Sequence, residues 1–180
     1  VGLEGRSEGA AIPHLLFMVF QLMFAILTPA LMTGATAERL RFTAYVLLIG
    51  LWSLLVYVPI AHWVWGGGWL AKTMGTLDFA GGIVVHTTAG VSALVAAALL
   101  GKRQGFPRTL MLPHAPSLTM AGAALLWVGW FGFNGGSALA ANDDAAREVA
   151  AHFLDDIGKR CILDGDLTAL PGKRHGAVDR

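Results

Sequence analysis

Charged residues are scarce in this chain, and their scarcity argues against an ordinary soluble domain. Only 14% of the 180 residues are Asp, Glu, Lys or Arg, whereas soluble domains carry about 25%. The net charge of +1 gives no reason to expect binding to nucleic acid. The single cysteine, Cys161, excludes an internal disulfide framework. The sequence also lacks a phosphate-binding glycine loop, a helical pair of metal-spaced histidines and a nucleophile motif. It therefore predicts no enzyme, metal site or cofactor.

Long apolar stretches are what the sequence has instead. The chain is 55% hydrophobic and its mean hydropathy is +0.59. A membrane-spanning helix needs about 20 mostly apolar residues, and four stretches satisfy this: 14–36, 42–62, 79–101 and 117–140. The sequence predicts an all-α polytopic membrane protein with four transmembrane helices. Pro29 predicts a kink in the first of them.

The charges divide the chain into two parts. Of 25 charged residues, 11 fall in 1–142 and 14 in 143–180, which predicts a membrane domain followed by a polar tail. Apolar residues recur every fourth position in 144–161, which favours an amphipathic surface helix, with a disordered or non-native end as the alternative: Val149, Phe153, Ile157 and Cys161. The first 14 residues include no initiator Met and no signal peptide, and they are typical of a loop entering a helix. We expect a longer protein.

The connecting segments predict the orientation in the membrane. Residues 37–41 and 101–108 are both basic, and both follow an odd-numbered span. The segment between spans two and three, 63–78, carries one lysine and three tryptophans. Because basic loops stay in the cytoplasm, we expect 37–41 and 101–108 to be cytoplasmic. The start of the chain, the Trp-rich segment and the end of span four then face outside.

Two ionisable residues flank the apolar run 78–86. In a helix beginning near Asp78, His86 lies about 12 Å further along the axis, inside the bilayer, where an ionisable residue suggests a function. The structural alternative is a neutral histidine that hydrogen-bonds between helices. Asp78, at the start of the helix, is expected to cap it. Attraction of a cation from the outer side is the alternative.

Aromatic residues cluster at the expected outer face. Three follow span two, where interfacial anchoring is the ordinary explanation: Trp63, Trp65 and Trp69. An indole ring facing a vestibule can instead bind a cation. Residues 129–137 add three more candidates near the outer end of span four: Phe131, Phe133 and Ser137. A ring and a hydroxyl within one turn suit a small hydrogen-bonding cation.

Four segments resemble the ammonium transporter family, the Amt/MEP/Rh group, and its Amt-like branch in particular. They are "IPHLLFMVFQLMFAILTPALMTGATAERLRF" (12–42), "YVPIAHWVWGGGWL" (57–70), "DFAGGIVVHTTAGVSALVAAALLGKR" (78–103) and "GWFGFNGGSALAAN" (129–142). The resemblance covers 1–142 and implies a fold of eleven helices in two inverted halves, assembled as a homotrimer. This chain would supply the third to sixth helices of that fold.

The resemblance also implies a function and the residues that perform it. Trp65, Ser137 and Phe24 match the outer ammonium site, and Phe24 and Phe133 match the gate of stacked phenylalanines. His86 matches a pore-lining histidine, and Asp78 matches an aspartate with an organising role. NH₄⁺, or methylammonium in its place, would bind outside and lose a proton. NH₃ would then cross the bilayer through an apolar, histidine-lined pore, because a bare cation faces a large desolvation cost there.

The match is partial. No residue here matches the family's second pore histidine, and the tail 143–180 resembles nothing in the family. We therefore expect the chain to be incomplete and inactive alone. A membrane-embedded ammonium sensor or assembly partner on the same scaffold is the alternative, but it predicts a signalling domain, for which the tail is short. A proton-relay subunit would need more buried acids than Asp78.

Overall fold

A computed structural model describes residues 11–164, and their side chains as far as residue 154. The described residues contain no β-strand, and four of their helical segments are long and apolar enough to cross a membrane. The prediction of an all-α polytopic membrane protein is confirmed. The chain divides into two compact units between Ala115 and Pro116. The loop predicted at the start of the chain lies mostly outside the described residues.

Three of the candidate spans belong to the first unit: His14–Thr36, Phe42–Met74 and Gly82–Leu100. The helices that build them are α1 (His14–Ala30), α2 (Thr33–Thr36), α3 (Phe42–Trp52), a π-helical segment π1 (Ser53–Tyr57), α4 (Val58–Val64), α5 (Trp69–Met74), a second π-helical segment π2 (Gly82–Thr87) and α6 (Thr88–Leu100).

The first span breaks near its proline. α1 ends one residue after Pro29, and the helix resumes at Thr33 as α2. Proline has no amide hydrogen to donate to the preceding turn and its ring crowds that turn, so a kink or break is expected there. Leu31 and Met32 close the break with amide bonds to Leu27 and Pro29 carbonyls, both at 3.2 Å. The break lies where the sequence predicts a kink.

One face of the first span forms the core of this unit. Four of its buried residues recur every fourth position, with Pro29 buried beside them: Phe24, Thr28, Met32 and Thr36. α1 packs on π1 and π2, and α2 packs on α6. Across from this face, Val84, Val85 and Ala89 are also buried. Threonine and alanine are small enough to let helix backbones approach closely in lipid, and this packing holds the two π-helical segments beside Phe24.

The second and third spans differ from their predicted limits. The sequence predicts that span two ends at 62 and that 63–78 is a loop, but the loop contains α5 and the span continues to Met74. A glycine turn interrupts the helix: the amides of Gly66 and Gly68 both donate to the carbonyl of His62, at 3.0 and 3.1 Å. Span three begins at Gly82 rather than 79, because Gly81 adopts a left-handed conformation with φ +95° that no right-handed helix contains.

The second unit contains α7 (Pro116–Gly136), the fourth candidate span, and α8 (Asp143–Asp164). α7 ends four residues before the predicted limit at 140, in a turn where Leu139 takes a positive φ of 53°. Asn142 begins α8 by accepting the amide of Ala145 at 3.0 Å, which is the bond of an N-cap. The amphipathic helix predicted over 144–161 lies within α8. Of its apolar stripe, the side chains of Ile157 and Cys161 lie outside the described residues.

Candidate functional site

Phe24 and Trp65 meet at one end of the first unit. The Phe24 side chain is only 2% exposed. Its ring lies edge-on to the indole of Trp65, with the ring centroids 5.2 Å apart. On its other side Phe20 makes a second edge-to-face contact at 5.0 Å. Aromatic pairs prefer this geometry because the positive edge of one ring faces the negative face of the other. The two residues therefore form a fixed aromatic pair.

The backbone beside Asp78 holds the indole of Trp65. The indole N–H donates to the main-chain carbonyl of Asp78 at 2.7 Å. Trp65 is half-buried and directly follows α4, so its own helix fixes only the start of the side chain. With its N–H bonded at one point and its ring in contact with Phe24, the indole has little freedom to rotate.

The carboxylate of Asp78 binds the amino end of π2. Oδ1 accepts the amide of Gly81 at 2.7 Å, and Oδ2 accepts the amides of Ile83 and Val84, both at 2.8 Å. These amides have no partner inside the helix, because the first turn of any helix leaves its donors unsatisfied. A negative charge at this end also meets the positive end of the helix dipole. Asp78 thus caps the helix from the loop, four residues before it begins, and not from the start of the helix as expected.

Gly81 makes this arrangement possible. Its φ of +95° reverses the chain between Asp78 and π2. A β-carbon at this position would lie 2.7 Å from Cγ2 of Val85 and 3.6 Å from the Phe24 ring. Only glycine fits here without strain. In the sequence, two consecutive glycines before an apolar run are a signal for such a turn.

His86 lies in π2, one turn into the helix. The helix begins at Gly82, four residues before His86, so the separation of about 12 Å expected for a helix that starts at Asp78 does not apply. Its amide bonds to the Gly81 carbonyl at 2.9 Å, five residues back. The imidazole is on an exposed face of the unit, opposite the buried Val84 and Val85.

Hydroxyl groups satisfy the carbonyls at the start of π2. Thr87 donates to the carbonyl of Gly82 at 2.9 Å and Thr88 to that of Ile83 at 2.8 Å, each five residues back. Inside a bilayer a backbone carbonyl without a partner costs several kcal/mol, on the order of a lost hydrogen bond or more. The carbonyl of Ile83 also accepts the backbone amide of Thr88, so the threonine hydroxyls add to the backbone bonds of this π-helical turn. π-helical turns are frequent at functional sites.

Phe133 and Ser137 belong to the second unit. The hydroxyl of Ser137 donates to the carbonyl of Phe133 at 2.7 Å, which leaves the lone pairs of its oxygen available as acceptors. The Phe133 ring stacks on Trp130, with centroids 4.9 Å apart and planes 25° apart. Both Phe133 and Ser137 are half-buried.

The predicted residues thus fall into two groups. Phe24, Trp65 and Asp78 come together in the first unit, and Asp78 lies on the short segment that leads into the helix of His86. Ser137 and Phe133 come together in the second unit. Among the described residues, no group of three or more His, Cys, Asp or Glu could hold a metal ion.

Comparison with known proteins identifies the family. A model of the Ammonium Transporter Family matches residues 3–154. The chain belongs to the ammonium transporter family. The match includes residues 143–154, which are part of the tail 143–180 that the sequence motifs placed outside the family.

Curated relatives carry the same name. The chain is 58% identical over 135 residues to the Archaeoglobus fulgidus protein named ammonium transporter Amt1, covering 75% of the chain and 34% of that relative. It is 53% identical over 182 residues to an ammonium transporter of Mycobacterium tuberculosis, covering 93% of the chain and 38% of the relative. An ammonium transporter of Bacillus subtilis is 55% identical over 139 residues, covering 77% and 34%. The family chain therefore spans about a third of the length of the curated relatives it matches.

Proposed function

We propose that this chain supplies part of a membrane pore that transports ammonium or ammonia. The family match over residues 3–154 carries this proposal. The curated relatives named above are transporters and not enzymes. The four candidate spans give the described residues the length and apolarity that a membrane channel requires. Assembly as a homotrimer and a cytoplasmic position of 37–41 and 101–108 are parts of the same proposal.

In this proposal Trp65, Phe24 and Ser137 form the outer site that binds NH₄⁺. The contact between Phe24 and Trp65 supports it, because a fixed indole can present its negative face to a cation. The Ser137 hydroxyl supports it too: its hydrogen is used on a backbone carbonyl, so its oxygen can accept an N–H. Ammonium and potassium ions are similar in size, and directed N–H bonds to such an acceptor are what favours ammonium.

Beyond this site, Phe24 and Phe133 act as the gate and His86 lines the pore. An apolar passage strongly disfavours a bare cation, so NH₄⁺ loses a proton near the gate and the species that crosses is NH₃. The proton is released to the outer side or carried across separately. A neutral imidazole offers one donor and one acceptor and suits a small neutral polar molecule. The exposure of His86 supports a pore position, because a second wall can then close over the same face.

A chimaeric transporter tests the proposal. Residues 11–142 of this chain replace the corresponding segment of the Bacillus subtilis relative, and ¹⁴C-methylammonium uptake is measured in cells without other ammonium transporters. We expect uptake by the chimaera and none by the 180-residue chain alone, because one wall of the pore is then missing. His86→Ala in the chimaera should lower uptake at least tenfold, and the matched His62→Ala should leave it within twofold.

Two results would contradict the proposal. A chimaera that reaches the membrane in normal amounts but takes up no methylammonium would remove the transport role of this segment. Uptake unchanged by His86→Ala would remove His86 from the pore, whatever the chimaera does otherwise. Membrane abundance, measured by immunoblotting of each variant, separates loss of transport from loss of protein.

A further inference from the structure

A cleft of about 450 Å³ lies at the opposite end of the first unit from the aromatic pair. It forms where α2 and α6 end, and we call it the basic cleft. Its lining includes Arg39, Ala97, Gly101, Lys102, Arg103 and Phe106. A second hollow of about 380 Å³ adjoins it, shares Arg103 and Phe106, and adds Arg108. Since α6 with π2 is a candidate span, its last residues mark the boundary of the bilayer.

Two contacts connect the basic segments around the cleft. The guanidinium of Arg39 donates to the carbonyl of Gly101 at 2.8 Å and also to that of Ala35, so it joins the carboxyl ends of two helices. Glu38 and Arg103 form an ion pair at 3.7 Å. These contacts bring 37–41 and 101–108 to the same end of the unit. Arg39 and Glu38 are therefore occupied in building the cleft.

The charge of the cleft is unbalanced. The segments 37–41 and 101–108 contain five cationic side chains and one carboxylate, that of Glu38. Within residues 11–154, Lys102 and Arg108 form no ion pair and no hydrogen bond. The ammonium of Lys102 lies 6.0 Å from the centre of the Phe106 ring. Besides Glu38, the first unit has one acidic residue within 11–115, Asp78, and it lies at the opposite end of the span from the cleft. The cleft thus offers exposed positive charge without an internal counter-ion.

Apolar side chains surround these charges. Phe106 is 61% exposed, Leu110 84% and Leu112 78%, and Ala97 forms part of the cleft wall on the last turn of α6. Cationic groups beside exposed apolar ones are typical of segments at the level of lipid head groups. Basic pockets between spanning helices bind the head groups of anionic lipids. A soluble anion would match the charges but would leave the apolar wall in contact with water.

We propose that the basic cleft binds one anionic phospholipid. Lys102 and Arg108 contact its phosphodiester, and its acyl chains lie along the Ala97 side of α6. The phosphate is the chemistry that these cations recognise, and the apolar wall selects a lipid over free phosphate. The inference needs only that α6 spans a membrane, and it does not depend on what the pore transports.

Lipid retention measures this binding. The 180-residue chain is reconstituted into nanodiscs of equal phosphatidylglycerol and phosphatidylcholine and then extracted in mild detergent, and mass spectrometry quantifies the lipid that stays bound. We expect phosphatidylglycerol to exceed phosphatidylcholine at least fivefold. The double variant Lys102→Gln, Arg108→Gln should lower this preference at least fivefold, to near equal retention of the two lipids, since each cation near an anionic surface contributes a factor of about five. Lys72→Gln removes one positive charge from α5 at the other end of the span, and it should leave the lipid preference unchanged.

Two further measurements distinguish a lipid site from a site for a soluble anion and test the electrostatic origin of the preference. Inorganic phosphate at 10 mM should leave the bound phosphatidylglycerol in place, and its displacement would overturn the proposal in favour of a soluble-anion site. Raising NaCl from 0.1 to 0.5 M should lower the preference in the unaltered chain, a test that needs no variant to fold. Equal retention of the two lipids, or the same retention in the double variant with normal helical circular dichroism, would also overturn it.

Discussion

Replacing Asp78 tests whether its role is to hold the chain or to bind a cation. Its two carboxylate oxygens accept three backbone amides at 2.7–2.8 Å, and its side chain is half-buried. Asp78→Ala removes all three acceptors. Asp78→Asn keeps one oxygen but turns an N–H₂ group toward the remaining amide, so one donor faces another. Both changes act on the folded structure before any ion is present.

The size of the effect follows from these bonds. A hydrogen bond to a charged group stabilises a protein by about 1.5–3 kcal/mol, and a single helix cap by about 0.5–2 kcal/mol. Three bonds to one carboxylate do not add, because amides at a helix end near the membrane surface can be hydrated. We expect Asp78→Ala to lower the free energy of unfolding by about 3 kcal/mol and Asp78→Asn by about 2 kcal/mol.

Thermal unfolding of the purified chain in detergent measures this change. For chains of about 150–250 residues, 1 kcal/mol corresponds to about 2–4 °C in Tm. Asp78→Ala should therefore lower Tm by about 6–12 °C. The matched control is Asp144→Asn. It removes an exposed carboxylate whose ion pair with Arg147 is long, at 4.0 Å. An exposed ion pair of this kind contributes about 0–1 kcal/mol, so Tm should fall by no more than about 4 °C.

A second measurement decides between the two roles. In the chimaeric transporter, Asp78→Asn should reduce the amount of folded protein more than it raises the apparent KM for methylammonium. If Tm and protein yield match those of the unaltered chain while KM rises tenfold, the capping argument is wrong. Asp78 would then act on the cation itself.

Three further substitutions test the contacts around this segment. Gly81→Ala should cost about 2–3 kcal/mol through its positive φ and a clash with a buried valine, whereas Gly82→Ala, which meets nothing within 4 Å, should leave Tm unchanged or raise it slightly. Trp65→Phe should cost about 1 kcal/mol for the lost indole bond, and Trp69→Phe, on a half-exposed ring, should be near neutral in the same assay. Arg39→Gln should cost about 2 kcal/mol, since it removes charged donors from two helix ends; an unchanged Tm would remove Arg39 as a clamp.

Hydropathy predicts most of this fold because the bilayer demands it. A helical span must be long and apolar, because every backbone N–H and C=O in lipid has to find its partner within the protein. The first span accordingly has its predicted limits, 14–36. The second does not, because the end of a helix depends on local geometry that hydropathy does not describe. The turn at Gly66–Gly68 stops α4, and the following residues are apolar enough to form α5.

At the candidate site, the sequence predicts that Asp78 caps a helix but not the geometry of the cap. A carboxylate before an apolar run predicts a cap, and Asp78 does bind the amides of the helix. Its position outside the helix depends on the conformation of Gly81, which a helical pattern cannot reveal. The π-helical segment π2 cannot be recognised from the sequence either. A threonine is compatible with an ordinary helix, and only the structure shows that the hydroxyls of Thr87 and Thr88 bond carbonyls five residues back.

The contacts of Asp78 couple the stability of this segment to the apparent affinity of the proposed ammonium site. Its carboxylate holds the helix of His86, and its carbonyl holds the indole of Trp65. A change in this residue therefore moves an aromatic ring of the proposed ammonium site and the start of the proposed pore together. A weaker apparent affinity in an Asp78 variant is expected even if the carboxylate never contacts the ion. Only a loss of affinity without a loss of stability shows direct binding, because the structural role makes the two fall together.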